Sequence, residues 1–259
     1  MDEIKRFYKE REDVIKRYKS DPDLIKASED LRRLSMEKRY VYNFDWLGRP
    51  IIQYPQDIVA FQEIVWKTKP DLIIETGIAH GGSLILSASM LALLDLSDSS
   101  ETMRSEEQTI QKRKVIGIDI EIRDHNRRAI KEHPFSNRIE MLEGSSTDPS
   151  IIKEVGDIAK KYNRVMVCLD SLHTHEHVLE ELEAYSKLVS KDCYCLVLDT
   201  LIEDLPSGFF KDRPWDKGNS PKTAVYQFLS KNPNFQVDEQ IYDKLLISSA
   251  PSGFLKRIN

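Results

Sequence analysis

DLIIETGIAHGGSLILSASMLALL, residues 71–94, decides the fold. Its first six residues form a short, nearly unbroken apolar run, the pattern of a strand covered on both faces. Glycines at 77, 81 and 82 then break the pattern. From Gly82 to Asp95 the apolar residues recur at helical spacing. Strand, glycine-rich turn and helix in that order open a parallel α/β sheet.

The same alternation extends in both directions. A helix at Asp57–Thr68 precedes the strand Asp71–Thr76. Strands are expected at Val115–Asp119, Arg138–Leu142, Arg164–Leu169 and Cys193–Leu198. Helices are expected at Asp124–His133, after Asp148-Pro149, and at His175–Val189, where Val178, Leu179, Leu182, Tyr185 and Val189 share a face. The expectation is a doubly wound α/β domain over residues 41–259. Residues 1–40 read as an N-terminal helical extension, with Asp21 as an N-cap and Pro22 in the first helical position.

Residues 41–55 hold too many aromatics and prolines for regular structure and read as a segment packed over something. Residues 96–113 read as a polar surface insertion. Residues 200–219, with Pro206, Gly208, Pro214, Gly218 and the pair Phe209-Phe210, read as a lid beyond the last parallel strand. Ser220-Pro221 caps an expected final helix, followed by strand-like runs at Phe235–Ile241, Leu245–Ser248 and Gly253–Ile258.

Composition narrows the classes. The chain has 259 residues, 40% of them hydrophobic and 31% charged, with a formal net charge of −5. That is a globular balance without the basic excess of a nucleic-acid binder. The most apolar run, Leu84–Leu94, is too short to span a bilayer, and the charged N-terminus does not read as a signal peptide, so no membrane insertion is expected. The odd cysteine count, Cys168, Cys193 and Cys195, suits reduced core residues in a cytoplasmic protein.

In an open α/β sheet, ligands bind beyond the carboxyl ends of the strands. Here the strands run into Glu75-Thr76-Gly77-Ile78-Ala79-His80-Gly81-Gly82-Ser83, into Asp119, into Gly144-Ser145-Ser146, into Asp170-Ser171-Leu172-His173 and into Asp199. The glycine segment lets backbone approach a ligand closely. An acid before the first glycine would repel a dinucleotide phosphate, which weighs against an NAD-dependent oxidoreductase. A positively charged cofactor suits Glu75 better, and Asp119 is placed to accept from a ribose diol. Together they favour S-adenosylmethionine.

Asp170 and Asp199 end strands expected to be neighbours. Two carboxylates that close need a proton or a cation, and oxygen donors favour Mg²⁺ or another hard divalent ion. His173 lies three residues past Asp170 and suits a general base. The run His173, His175, His177 diverges at a helix start, so it does not read as a transition-metal site. The nucleophile elbow G-x-S-x-G is absent.

Eight segments in order resemble the cephalosporin hydroxylase / rhamnosyl O-methyltransferase family. They are NFDWLGRPIIQYPQD (43–57), IIETGIAHGGSL (73–84), VIGIDIEIRDHNRRAI (115–130), GSSTDP (144–149), CLDSLHTHEHVLEELEAYSKLV (168–189), VLDT (197–200), KGNSPKTAVYQFL (217–229) and PSGFLKR (251–257). The resemblance implies the class I methyltransferase fold, Rossmann-like with a mostly parallel seven-stranded sheet. It implies S-adenosylmethionine held by Glu75, Gly77, His80, Gly81, Gly82, Ser83, Asp119 and Asp170, with Ser145 and Ser146 bordering the adenine. It implies a divalent cation on Asp170 and Asp199, a D-x-x-H element placing His173 as base, and a small-molecule or glycan acceptor. The family commonly shows Glu-Asp where this chain has Leu198-Asp199. That leaves one acidic ligand fewer and is the best support for the rival reading, a cofactor-binding protein that has lost catalysis. The charged N-terminal helices suit pairing between copies in a homo-oligomer.

Overall fold

The computed structural model describes residues 2–101 and 113–259. Helix α1 (Glu3–Tyr18) starts where the Asp2 side chain accepts from the Ile4 amide, and α2 (Pro22–Glu37) where Asp21 does the same for Leu24. A short hairpin follows, β1 (Phe44–Trp46) and β2 (Arg49–Ile51). Then come α3 (Pro55–Thr68), β3 (Leu72–Thr76), α4 (Gly82–Glu101), β4 (Lys114–Asp119), α5 (Asp124–Lys131), β5 (Ile139–Glu143), α6 (Pro149–Ala159), β6 (Val165–Leu169), α7 (His175–Tyr185) and β7 (Tyr194–Val197). The chain closes with α8 (Pro221–Lys231), β8 (Phe235–Val237), α9 (Glu239–Leu245) and β9 (Phe254–Arg257).

Seven strands form one sheet in the order β5-β4-β3-β6-β7-β9-β8. The first five are parallel; β9 runs antiparallel to both β7 and β8. Alternate residues of each strand feed opposite faces. Ile73, Val115, Met166 and Leu196 pack against α3 and α4 through Ala60, Ile64, Leu84 and Leu91. Leu72, Ile74, Ile116, Val167 and Cys195 pack against α6, α7 and α8 through Val155, Leu182 and Phe228. Both faces of the central strands β3, β6 and β7 are therefore dry, which is why these strands read as unbroken apolar runs. The three cysteines are buried and unpaired. Among the described residues, no helix is long and apolar enough to cross a membrane.

Several local expectations need correction. Residues 41–55 are not irregular: Leu47 and Gly48 both adopt positive φ and turn a hairpin between β1 and β2. Ser220 does cap a helix, with a reciprocal Ser220–Thr223 capping box, but that helix is not the last. The run Leu245–Ser248 is no strand, because α9 occupies Glu239–Leu245, and the strand expected at Phe235–Ile241 stops at Val237. The polar insertion is helical at its start, since α4 continues to Glu101; there Arg113 reaches back to Asp98 at 2.7 Å. Residues 102–112 of that insertion lie outside the described residues.

The N-terminal helices dock on the sheet domain. Lys19 pairs with Glu239 at 2.8 Å and Asp243 at 2.9 Å. Buried Arg32 meets Asp204 at 3.4 Å and donates to the Tyr242 hydroxyl at 2.8 Å. Ser35 and Tyr54, both buried, share a hydrogen bond of 2.6 Å between their hydroxyls.

Candidate active site

The sheet order reverses at β3, which has β4 on one side and β6 on the other. Such a switch point opens a crevice beyond the strand ends. A cleft of about 820 Å³ lies there. Its floor is the turn between β3 and α4. Gly77 has φ of +85°, and a Cβ on it would sit 2.1 Å from the Asp170 carbonyl oxygen, so only glycine lets the turn lie against the end of β6. A Cβ on Gly82 would meet the Pro50 carbonyl at 2.2 Å, which is where β2 crosses over the start of α4. Arg49 on β2 donates through Nη2 to the His80 carbonyl at 2.6 Å and to Asn126 Oδ1 at 3.0 Å; Asn126 donates in turn to the Ala79 carbonyl at 2.8 Å. The hairpin is thus the clamp on the glycine turn.

Asp170 and Asp199 do meet. With His173 they offer ligand atoms that all lie within 4.8 Å of one another. The cause is the pairing of β6 with β7, in which Leu169 lies opposite Val197. His173 Nε2 is 3.0 Å from Asp199 Oδ2. Asp199 itself sits in the left-handed region at φ 53°, an uncommon conformation for a residue with a side chain. Desolvation raises the Asp170 carboxyl well above the usual carboxylate range. The charges of Asp199, Glu75, Glu181 and Asp57 push it further the same way. Such an acid cluster suits a bound cation: the two carboxylates are oxygen donors compatible with a hard divalent ion, with the imidazole beside them.

The segment after β7 forms the roof. Trp215 packs edge-on against His173, ring centroids 4.7 Å apart. Phe209, Phe210 and Arg213 line the cleft from the same side, and Met36, Arg39 and Tyr42 line it from the end of α2 and the residues beyond. Asp216 holds the roof segment in shape by accepting from the Gly208 amide at 2.8 Å.

Of the residues expected to contact the cofactor, the cleft wall includes Gly77, His80, Gly82, Ser83 and Asp170, together with His173 and Asp199. Gly81, Glu75, Asp119, Ser145 and Ser146 are not on that wall. Gly81 is packed against Ile130. Glu75 lies behind the wall, on a small inner cavity shared with Ser83, Asp170 and Leu198, and accepts from the Ser87 hydroxyl. Burial pushes its carboxyl up to about 7. Asp119 spends Oδ2 on the amides of Ile78, at 2.8 Å, and Ala79, at 3.3 Å, so it shapes the glycine turn. Ser146 turns to His177 at 3.1 Å and Ser145 to Thr147 at 3.1 Å.

Two acids were not singled out in the sequence. Asp57 is buried and accepts from the Ser248 and Ser249 hydroxyls, at 2.5 and 3.0 Å, and from the Ser249 amide at 2.8 Å. Its signal was available: it shares the inward face of α3 with Phe61, Ile64 and Thr68. Glu181, fully buried on α7, accepts from Ser171 at 2.7 Å, and its other oxygen has no partner. It too stands among apolar positions of its helix.

The fold and this site define the class: a Rossmann-like fold of the class I methyltransferases. Residues 38–258 match the model of the Rhamnosyl O-methyltransferase/CmcI family, and the chain belongs to that family. The family places it among the S-adenosylmethionine-dependent O-methyltransferases. Rhamnosyl O-methyltransferases of Mycobacterium bovis and Mycobacterium tuberculosis are 29% identical over 205 residues, 78% of this chain and 73% of theirs. That of Mycobacterium leprae is 25% identical over 216 residues, 82% of each chain. Among solved structures, CmcI in a Mg-SAM form superposes with a TM-score of 0.55 at 16% identity, covering 84% of this chain and 78% of its own, which supports the fold.

Proposed function

We propose that this chain transfers the methyl group of S-adenosylmethionine to a hydroxyl of a sugar or similar small acceptor, with a divalent cation in the site. The observation that carries this reading is the meeting of Asp170, His173 and Asp199 beside the glycine turn of the switch point. The relatives named rhamnosyl O-methyltransferase support the sugar. Asp170 and Asp199 would hold the cation, Mg²⁺ or a similar ion, which when bound supplies Lewis-acid polarisation of the acceptor hydroxyl.

The chain's own residues do the rest. The glycine turn at Gly77, with His80, Gly82 and Ser83, offers backbone and hydroxyl to the cofactor. Asp119 and Glu75 act from behind it, Asp119 through the amides of Ile78 and Ala79 and Glu75 through its serine partners. Ser145 and Ser146 border the adenine side. His173 takes the hydroxyl proton, and Asp199 beside it stabilises the imidazolium that results. Trp215 and the phenylalanines exclude water, and alignment of hydroxyl and methyl supplies most of the remaining rate. Residues 1–40 act as an extension that completes the acceptor wall of the methyltransferase domain, 41–259. Unpaired buried cysteines support a cytoplasmic location. Helix α1, which has no buried residue, is the surface on which copies would pair.

S-adenosylhomocysteine should raise the melting temperature and NAD should not, because only a ligand of the native state stabilises it. Methyl transfer to methyl rhamnoside, followed by mass spectrometry, then tests the chemistry. No shift with S-adenosylhomocysteine would overturn the reading.

A further inference from the structure

The inner end of the cleft is acidic, with Asp170 and Asp199 side by side. Its outer wall carries the opposite charge. Arg39, just past α2, and Arg213, in the roof segment, both line the cleft. Each guanidinium lies over an aromatic ring of its own wall: Arg39 is 4.5 Å from the Tyr42 centroid and Arg213 is 5.2 Å from that of Trp215. Neither has a carboxylate within ion-pair distance among the described residues, whereas other arginines nearby do. Arg32 pairs with Asp204 at 3.4 Å and Arg33 with Glu37 at 2.6 Å. Glu37, the acid on the same wall, is thus already engaged by Arg33. Stacking on a ring orients a guanidinium while leaving its edge of N–H donors free for a planar or tetrahedral oxyanion. Arg213 does this on the very ring that touches His173.

We propose that the methyl acceptor carries an oxyanion, a phosphate or carboxylate attached to its sugar, held by Arg39 and Arg213 while the reacting hydroxyl faces His173. The inference rests on the acceptor site proposed above and names its substrate class. The cleft is polarised for such a molecule: guanidiniums on its outer wall receive the charged group, and the hydroxyl reaches His173 at the inner end. That arrangement gives the acceptor one orientation.

The test uses the full chain saturated with S-adenosylhomocysteine and Mg²⁺. Rhamnose 1-phosphate, methyl glucuronide and methyl rhamnoside are titrated separately, with tryptophan fluorescence as the readout. At least one charged probe should bind roughly tenfold or more tighter than neutral methyl rhamnoside, the range expected for hydrogen bonds to a charged group. Whichever charged probe wins identifies the oxyanion. Arg39→Ala and Arg213→Ala should each erase most of that advantage, and Arg→Lys should recover only part of it, since lysine keeps the charge and loses the fork. Both side chains are exposed, and the melting temperature of each variant shows that it is folded. Equal binding of all three probes, binding of none, or alanine variants that match the parent would overturn the proposal. Affinity for S-adenosylhomocysteine is measured in parallel. Its absence would sink the methyltransferase reading, while the comparison of charged with neutral probes, repeated on the unloaded chain, still decides the oxyanion.

Discussion

His173 Nε2 lies 3.0 Å from Asp199 Oδ2. The contact fixes more than a distance. The carboxylate lies beside the imidazole, and Trp215 packed edge-on against the ring limits its rotation. His173→Ala is therefore expected to lower kcat by about 10²–10⁴, the usual contribution of a general base. Cofactor affinity should stay unchanged by calorimetric titration. Asp199→Asn should lower kcat as well, by removing the charge that stabilises the imidazolium. A His173→Ala enzyme with parental kcat would show that the proton goes elsewhere.

Asp170 stands among four other acids, Asp199, Glu75, Glu181 and Asp57, which raise its carboxyl together with desolvation. Chelation should stop methyl transfer, and Mg²⁺ or Mn²⁺ should restore it. Asp170→Asn should weaken Mg²⁺ binding at least about tenfold, the scale seen when a metal site loses a supporting carboxylate. S-adenosylhomocysteine should still bind. Full turnover by protein stripped of metal, verified by elemental analysis, would remove the cation from the mechanism.

Leu198 lines the inner cavity together with Asp170 and Glu75, and packs against the apolar core of that sheet face. A glutamate there would join an acidic pocket. Leu198→Glu is expected to melt earlier than the parent without metal, by a few kcal/mol of stability, since an unpaired charge is being desolvated. Saturating Mg²⁺ should return much of that loss and bind more tightly than to the parent. A variant whose melting temperature ignores Mg²⁺ would place residue 198 outside the metal's reach.

Glu75 carries a pH dependence with a definite sign. Burial favours its protonated form and moves its pKa from 4.5 to about 7. Folding thus takes up a proton between those values, and stability falls as pH rises through them. The full effect is on the order of 3 kcal/mol at 1.36 kcal/mol per unit. Glu75→Gln removes the titration. Its melting temperature should decline less steeply than the parent's from pH 5 to 7.5. Identical slopes would assign the decline to the other raised carboxyls, Asp57, which burial pushes up to about 6, and Asp170.

Much of this protein could be read from the chain by itself. Strand, glycine turn and helix were legible because dry strands must be continuously apolar and because only glycine fits a turn such as Gly77. The acids at the strand ends were legible for the same reason, standing where apolar runs stop. The short hairpin and α9 were not. Their residues are few and mixed, and what forms them is contact with the rest of the molecule: Arg49 reaching the glycine turn and Lys19 reaching α9. Nor could the chain alone say that Glu75 and Asp119 would turn inward to serines and backbone amides. The depth of a carboxylate depends on which helix covers it, and that is settled only when α4 closes over β3. The sequence determined which residues could do chemistry. The tertiary structure decided which of them face the cleft, because facing is a property of packed elements and not of spacing along the chain.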